Sequence, residues 1–126
     1  MYTMKKTAEL TGLSEHTLRY YDKEGLLPGL ARDGVGRRVF SDEDLFNIRT
    51  IRALREMGVP IARIRDFIAA GRGERALERR GEIIAERTAR AKAELEALKD
   101  QLKLLARAAE YCRGAQAGSA IAALAA

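Results

Sequence analysis

The sequence predicts a mainly α fold, in which a winged helix–turn–helix is followed by one long helix built to pair with a second helix. Three observations predict it. Two short helical patterns separated by a glycine turn lie before Gly25, an Asp33-Gly34 turn signal sits between arginine-bearing segments at 30–40, and a seven-residue apolar repeat runs from Leu77 to Cys112. The expected organisation is a DNA-binding type of domain at 1–73, a coiled-coil helix at 74–112 and a short flexible tail at 113–126, which is rich in Ala and Gly.

Composition narrows the class. The chain has 126 residues, 47% hydrophobic and 33% charged, as in a soluble protein with one compact domain and an extension. No apolar run approaches the roughly 20 residues of a membrane helix, and no signal-peptide region opens the sequence, so the expected location is the cytoplasm, with no membrane partner. One cysteine, Cys112, fits a reducing compartment. The net charge of +5 favours a polyanionic partner, although acids and bases alternate along most of the chain.

The elements follow in order. Lys5 to Leu10 reads as a short helix, and Thr11, Gly12 and Leu13 as a turn whose glycine takes a positive φ. Ser14 can cap a second helix, with Glu15 facing the positive end of its dipole. Leu18 and Tyr21 share one face of that helix and pack inward with Leu10 and Leu13. His16, Arg19, Tyr20 and Lys23 fall on another face. A helix entering a major groove needs such a face: donors for base edges, cations and a hydroxyl for phosphate, and an apolar back.

The Asp33-Gly34 dipeptide then signals a two-residue hairpin ending in Val39 and Phe40. After a helix–turn–helix such a hairpin is a wing, and its Arg32, Arg37 and Arg38 stand against a single Asp33, which suits phosphate or minor-groove contact. Ser41 and Asp44 resemble a capping box that opens a third helix with Leu45, Ile48, Ile51 and Leu54 on its inner face. Gly58 ends it, Pro60 sits in the first turn of the next helix, and Ile61, Ile64, Phe67 and Ile68 face the core. Arg55, beside the Met57 to Pro60 corner, is a candidate for a second phosphate-contacting wing.

The last segment carries a seam. Leu77, Ile84, Ala91, Leu98, Leu105 and Cys112 recur every seven residues, and Gly81, Thr88, Leu95, Leu102 and Ala109 follow each of the first five by four. From Leu77 to Cys112 this makes about 54 Å of helix at ~1.5 Å per residue, more than a domain of this size can cover. A homodimer, with a second copy supplying the partner helix, is the natural consequence, and Leu95 to Leu105 should bury most.

These pieces together resemble the MerR family of bacterial transcription regulators, over essentially Tyr2 to Cys112. The residues that carry the resemblance are Thr11 to Ser14 (TGLS), Thr17 to Tyr21 (TLRYY), Gly25 to Leu27 (GLL), Gly36 to Phe40 (GRRVF), Ser41 to Leu45 (SDEDL) and the Met57-Gly58 corner. The resemblance implies an antiparallel coiled-coil dimer that binds an inverted repeat in double-stranded promoter DNA, distorts it, and so changes its use by RNA polymerase. It also implies groove and phosphate contacts for Arg19 and Tyr20, base reading near His16 and Thr17, and a wing contact for Arg38. Arg37 stands where many members have tyrosine, and Pro60 where many have a capping serine or asparagine.

The sequence indicates no cofactor and no metal. Metal-sensing relatives use cysteines near the end of the dimerisation helix and in the loop after it, where this chain has Cys112 but no second thiol, so one chain cannot build a two-thiolate site. Cys112 falls on a seam position, where a thiol packs as a small hydrophobe; a redox or effector role is the other reading. No ligand-binding domain is expected in the short stretch after Cys112. An enzyme is not indicated, because no nucleophile–base pair, paired carboxylates or phosphate loop stands out. The alternative function is a coiled-coil interaction module on a winged-helix scaffold without specific DNA readout.

Overall fold

The computed structural model describes residues 1–113 and Ala122; the expected flexible tail lies outside the described residues apart from Arg113 and Ala122. In chain order the elements are β1 (Tyr2–Thr3), α1 (Met4–Thr11), α2 (Glu15–Lys23), β2 (Ala31–Arg32), β3 (Arg38–Phe40), α3 (Asp42–Glu56), α4 (Ile61–Ala69) and α5 (Glu74–Cys112). The fold is mainly helical with one small antiparallel sheet of order β1-β3-β2.

The caps explain where the short helices begin and end. Thr3 caps α1 by accepting from the Lys6 N–H, Ser14 caps α2 by accepting from the Thr17 N–H, and Gly12 between them takes φ 72°. Gly25 closes α2, with the Leu26 N–H donating to the Tyr21 carbonyl. Ser41 and Asp44 form the full capping box of α3, because the Asp44 carboxylate accepts from the Ser41 N–H at 2.8 Å while Ser41 Oγ accepts from the Asp44 N–H at 3.1 Å. Asp replaces the usual Glu there without loss of either bond. Gly58 at φ 79° turns the chain out of α3, with Val59 N–H on the Leu54 carbonyl. Pro60 is the N-cap of α4 rather than part of its first turn.

The core forms where the inner faces converge. Leu18, Leu26, Phe40, Ile48, Ile51 and Ile64 are fully buried, with Tyr21, Leu27, Leu54 and Val59 beside them. Leu10 is not among them, being 40% exposed. The inner stripe of α1 belongs instead to Thr7 and Thr11, whose hydroxyls donate to the carbonyls of Thr3 and Thr7 and so bury satisfied. Two arginines finish the helix–turn–helix. Arg52 from α3 donates to the Thr11 carbonyl at 2.7 Å and Arg65 from α4 to the Glu24 carbonyl at 2.8 Å, covering the carbonyl ends of α1 and α2.

The wing differs from the expected two-residue hairpin. Strand register pairs Arg32 with Arg38, which leaves residues 33–37 as a five-residue loop. Asp33 Oδ1 accepts from the N–H groups of Val35 and Arg37, the Gly36 N–H returns to the Asp33 carbonyl, and the left-handed residue is Gly36 at φ 84°, not Gly34. β1 was not foreseen either. It pairs Tyr2 with Phe40 and Thr3 with Val39, making β3 the middle strand.

Two compact units divide the chain at Ala85 and Glu86, so the division lies inside α5. In the first unit, Ala76 and Ile83 are buried, Arg80 donates to the Phe67 carbonyl and stacks on its ring at 5.2 Å, and Arg79 pairs with Asp66 at 3.3 Å. In the second, the described part is the rest of α5, exposed along nearly its whole length.

Candidate nucleic-acid interface

Burial orients α2 before any ligand is considered. With Leu18 at 0% and Tyr21 at 2% exposure on the core side, His16, Arg19, Tyr20 and Lys23 are all left exposed. Arg19 lies 3.9 Å from Glu15 one turn earlier, a pairing of two exposed side chains that leaves the guanidinium free to exchange partners. Thr17 is placed differently: it is half-buried, and its hydroxyl is 2.9 Å from Ser14 Oγ within the cap. Its first role is therefore to close the turn.

Tyr20 and Tyr21 divide as the sequence suggests, one exposed and one buried. Their rings are 6.4 Å apart, and the Arg55 guanidinium lies 5.8 Å from the Tyr20 centroid and 5.9 Å from that of Tyr21. Arg55 thus reaches α2 from α3, where cation–π attraction holds it against the Tyr20 and Tyr21 rings. Nothing local in the sequence links residues 20 and 55; the core between α2 and α3 brings them together.

The wing arginines occupy distinct settings. Arg37 is exposed at the loop, its Nε 3.1 Å from Asp33 Oδ2, and Asp33 is held below the usual carboxylate range, first by the Arg37 backbone N–H. Arg32 Nη1 donates to the Gly36 carbonyl at 2.7 Å across the loop. Arg38 is only a quarter exposed and its Nε donates to Asp22 Oδ2 of α2 at 2.7 Å. Asp22 is the residue that sequence reasoning missed, since its partner is 16 positions away.

Between the first turns of α2 and the wing lies a cleft lined by Lys5, Arg19, Arg32, Arg37 and Arg38, with Glu15 and Asp33 as its only acids. Five cations against two carboxylates make this the strongly positive concavity that the net charge alone did not locate. No buried side-chain polar atom among the described residues lacks a hydrogen bond.

The expected dimerisation positions Leu77, Ile84, Ala91, Leu95, Leu98, Leu102 and Leu105 all lie exposed on α5. Leu102 and Leu105 are 65% and 63% exposed, part of an apolar stripe left open among the described residues. The buried Ala76 and Ile83 lie one position before Leu77 and Ile84, so the helix packs on its own domain through a neighbouring stripe and leaves the seam open. Cys112 is exposed at the end of α5, and no group of three His, Cys, Asp or Glu among the described residues could hold a metal. No described helix is long and apolar enough to cross a membrane.

Comparison with known proteins bears on this geometry. Residues 2–71 match the family model described as MerR HTH family regulatory protein. The chain is 38% identical over 105 residues to an HTH-type transcriptional regulator of Haemophilus influenzae, covering 82% of this chain and 78% of that one. Among solved structures it is similar to HiNmlR, a MerR family regulator lacking the sensor domain and bound to promoter DNA, with TM-score 0.62, 35% identity and coverage of 98% and 94%. A MerR family transcriptional regulator from Bacillus thuringiensis matches with TM-score 0.61 and 30% identity, covering 84% of this chain and 94% of that one.

Proposed function

The chain belongs to the MerR family of helix–turn–helix regulatory proteins and is a transcription regulator, and from that premise we propose that it works as a cytoplasmic homodimer on an inverted repeat in promoter DNA. The observation that carries this reading is the cleft of five cations between α2 and the wing, beside the exposed face of His16, Arg19, Tyr20 and Lys23. In each copy α2 enters a major groove, where Arg19 and His16 meet base edges. Lys23, the Tyr20 hydroxyl and Arg55 meet the flanking phosphates, and Arg37 and Arg32 carry the wing to the next stretch of backbone.

The open seam from Leu77 to Leu105 joins the copies as an antiparallel coiled coil, the direction being that of the family. Two recognition helices held at a fixed separation act on promoter geometry: a duplex that must bend or untwist to meet both has its shape altered for RNA polymerase. An effector, not identified, biases that shape. The protein acts by binding, without catalysis.

Titration against a duplex selected from a random-sequence pool tests the reading. Wild-type affinity should fall steeply with salt, and Arg19→Ala should weaken the selected site by roughly 1–3 kcal/mol while nonspecific binding changes little. Failure to select any site, or association indifferent to salt, would favour a protein-interaction module instead.

A further inference from the structure

The wing is too small to hold its own direction. β2 and β3 share two residue pairs, β1 pairs with β3 only at Val39 and Phe40, and the loop at 33–37 projects beyond these strands. Its root is fixed by Phe40, fully buried in the core. An anchor nearer the loop than Val39 would set the angle at which the loop leaves that root.

Asp22 and Arg38 supply it. Their 2.7 Å bond joins the last turn of α2 to the middle of the wing, and both side chains are about three-quarters buried, at 23% and 24% exposure, whereas the Arg37 side chain is 79% exposed. Asp22 is also an acid near the carbonyl end of a helix, where the dipole disfavours it, and a carboxylate three residues after Arg19 repels a phosphate backbone. Both costs are offset if its task is to hold Arg38.

We propose that Asp22 and Arg38 are a positioning pair that locks the wing to the recognition helix, and that Arg38 acts on DNA through this geometry while Arg37 and Arg32 make the wing's phosphate contacts. The pair makes the wing and α2 one rigid reading head, so the spacing between groove contact and wing contact is set before DNA arrives. This rests on the DNA-binding reading above, and the tests are chosen so that each can fail alone.

In the DNA-free protein, Asp22→Asn and Arg38→Gln should each speed amide exchange at Ala31, Val39 and the 33–37 loop while leaving α3 amides unchanged. On the selected duplex, each should weaken binding about tenfold, with the double variant no weaker than either single one, as expected for two members of one interaction. The slope of log K against log salt should stay as in the wild type for both, and fall by nearly one for Arg37→Ala. Tighter binding by Asp22→Asn would show that its carboxylate only repels DNA and would overturn the proposal. So would a slope lowered by about one in Arg38→Gln, or unaltered wing exchange. A wild-type protein that selects no duplex defeats the DNA reading, while the exchange measurement still decides the clamp.

Discussion

Leu98 offers a quantitative test of the open seam. In the single chain its surface is 55% exposed, although it lies on a heptad position of α5. Leu98→Ala removes the three carbons beyond Cβ, worth roughly 0.8 kcal/mol each when fully buried. Scaled by the 55% that a partner could cover, this gives about 1.3 kcal/mol per chain, and about 2.6 kcal/mol for the two copies in a dimer. At 1.4 kcal/mol per factor of ten, the dimer dissociation constant should rise roughly 70-fold, and more if a cavity remains. Sedimentation equilibrium over a wide concentration range measures it. Ile83→Ala is the control on the same helix: Ile83 is 1% exposed within the first unit, so its loss should lower unfolding stability by about 2–5 kcal/mol through the domain core. A wild-type protein that stays monomeric, or a Leu98→Ala dimer as tight as wild type, would refute the reasoning that the exposed stripe is an interface.

Three further outcomes are expected. Ser41→Ala removes the side-chain half of the α3 capping box while the backbone N–H of residue 41 still donates to Asp44, and should cost about 1 kcal/mol, lowering Tm by ~4–8 °C in a thermal melt; an unchanged Tm would mean that water replaces the cap. Asp33 has a folded pKa below its ordinary 3.8, so its contribution to wing order is complete above that value and is lost as pH falls through the depressed one; NMR should show the Val35 and Arg37 amides shifting together there, and titration at an ordinary value would remove the loop bonds from solution. In an antiparallel coil the two Cys112 thiols lie on the order of 50 Å apart, so mild oxidation should give no rapid crosslink within the dimer on non-reducing electrophoresis, whereas near-complete crosslinking would require a parallel coil.

The features legible in the sequence are those whose partners are close along the chain. Ser14 and Thr17, Ser41 and Asp44, and the glycine ends at Gly12, Gly25 and Gly58 each lie within one helical turn of what they satisfy, so residue type and spacing suffice. Leu45, Ile48, Ile51 and Leu54 likewise reveal a buried face by period alone. Where periodicity misled, chemistry close at hand intervened. Leu10 has the hydropathy of a core residue, but threonines that can satisfy their own hydroxyls took the inner stripe of α1. Asp33-Gly34 has the composition of a two-residue turn, but the Asp33 carboxylate binds two later N–H groups and draws the chain into a longer loop.

By itself, then, the sequence determined the helices, their ends, the cationic face of α2 and an apolar seam that needs a partner, because local geometry converts spacing into faces. Only the tertiary structure decided which charges are held and which are offered. Arg52 and Arg65 are spent on carbonyls 41 positions away and Arg38 on a carboxylate 16 away, whereas Arg55 is steered onto the tyrosine rings of α2. All four read as surface cations in one dimension. Packing of the core brings distant backbone and side chains to within hydrogen-bond or ring-contact distance, and the electrostatic field at short range assigns each guanidinium a partner that no spacing rule contains.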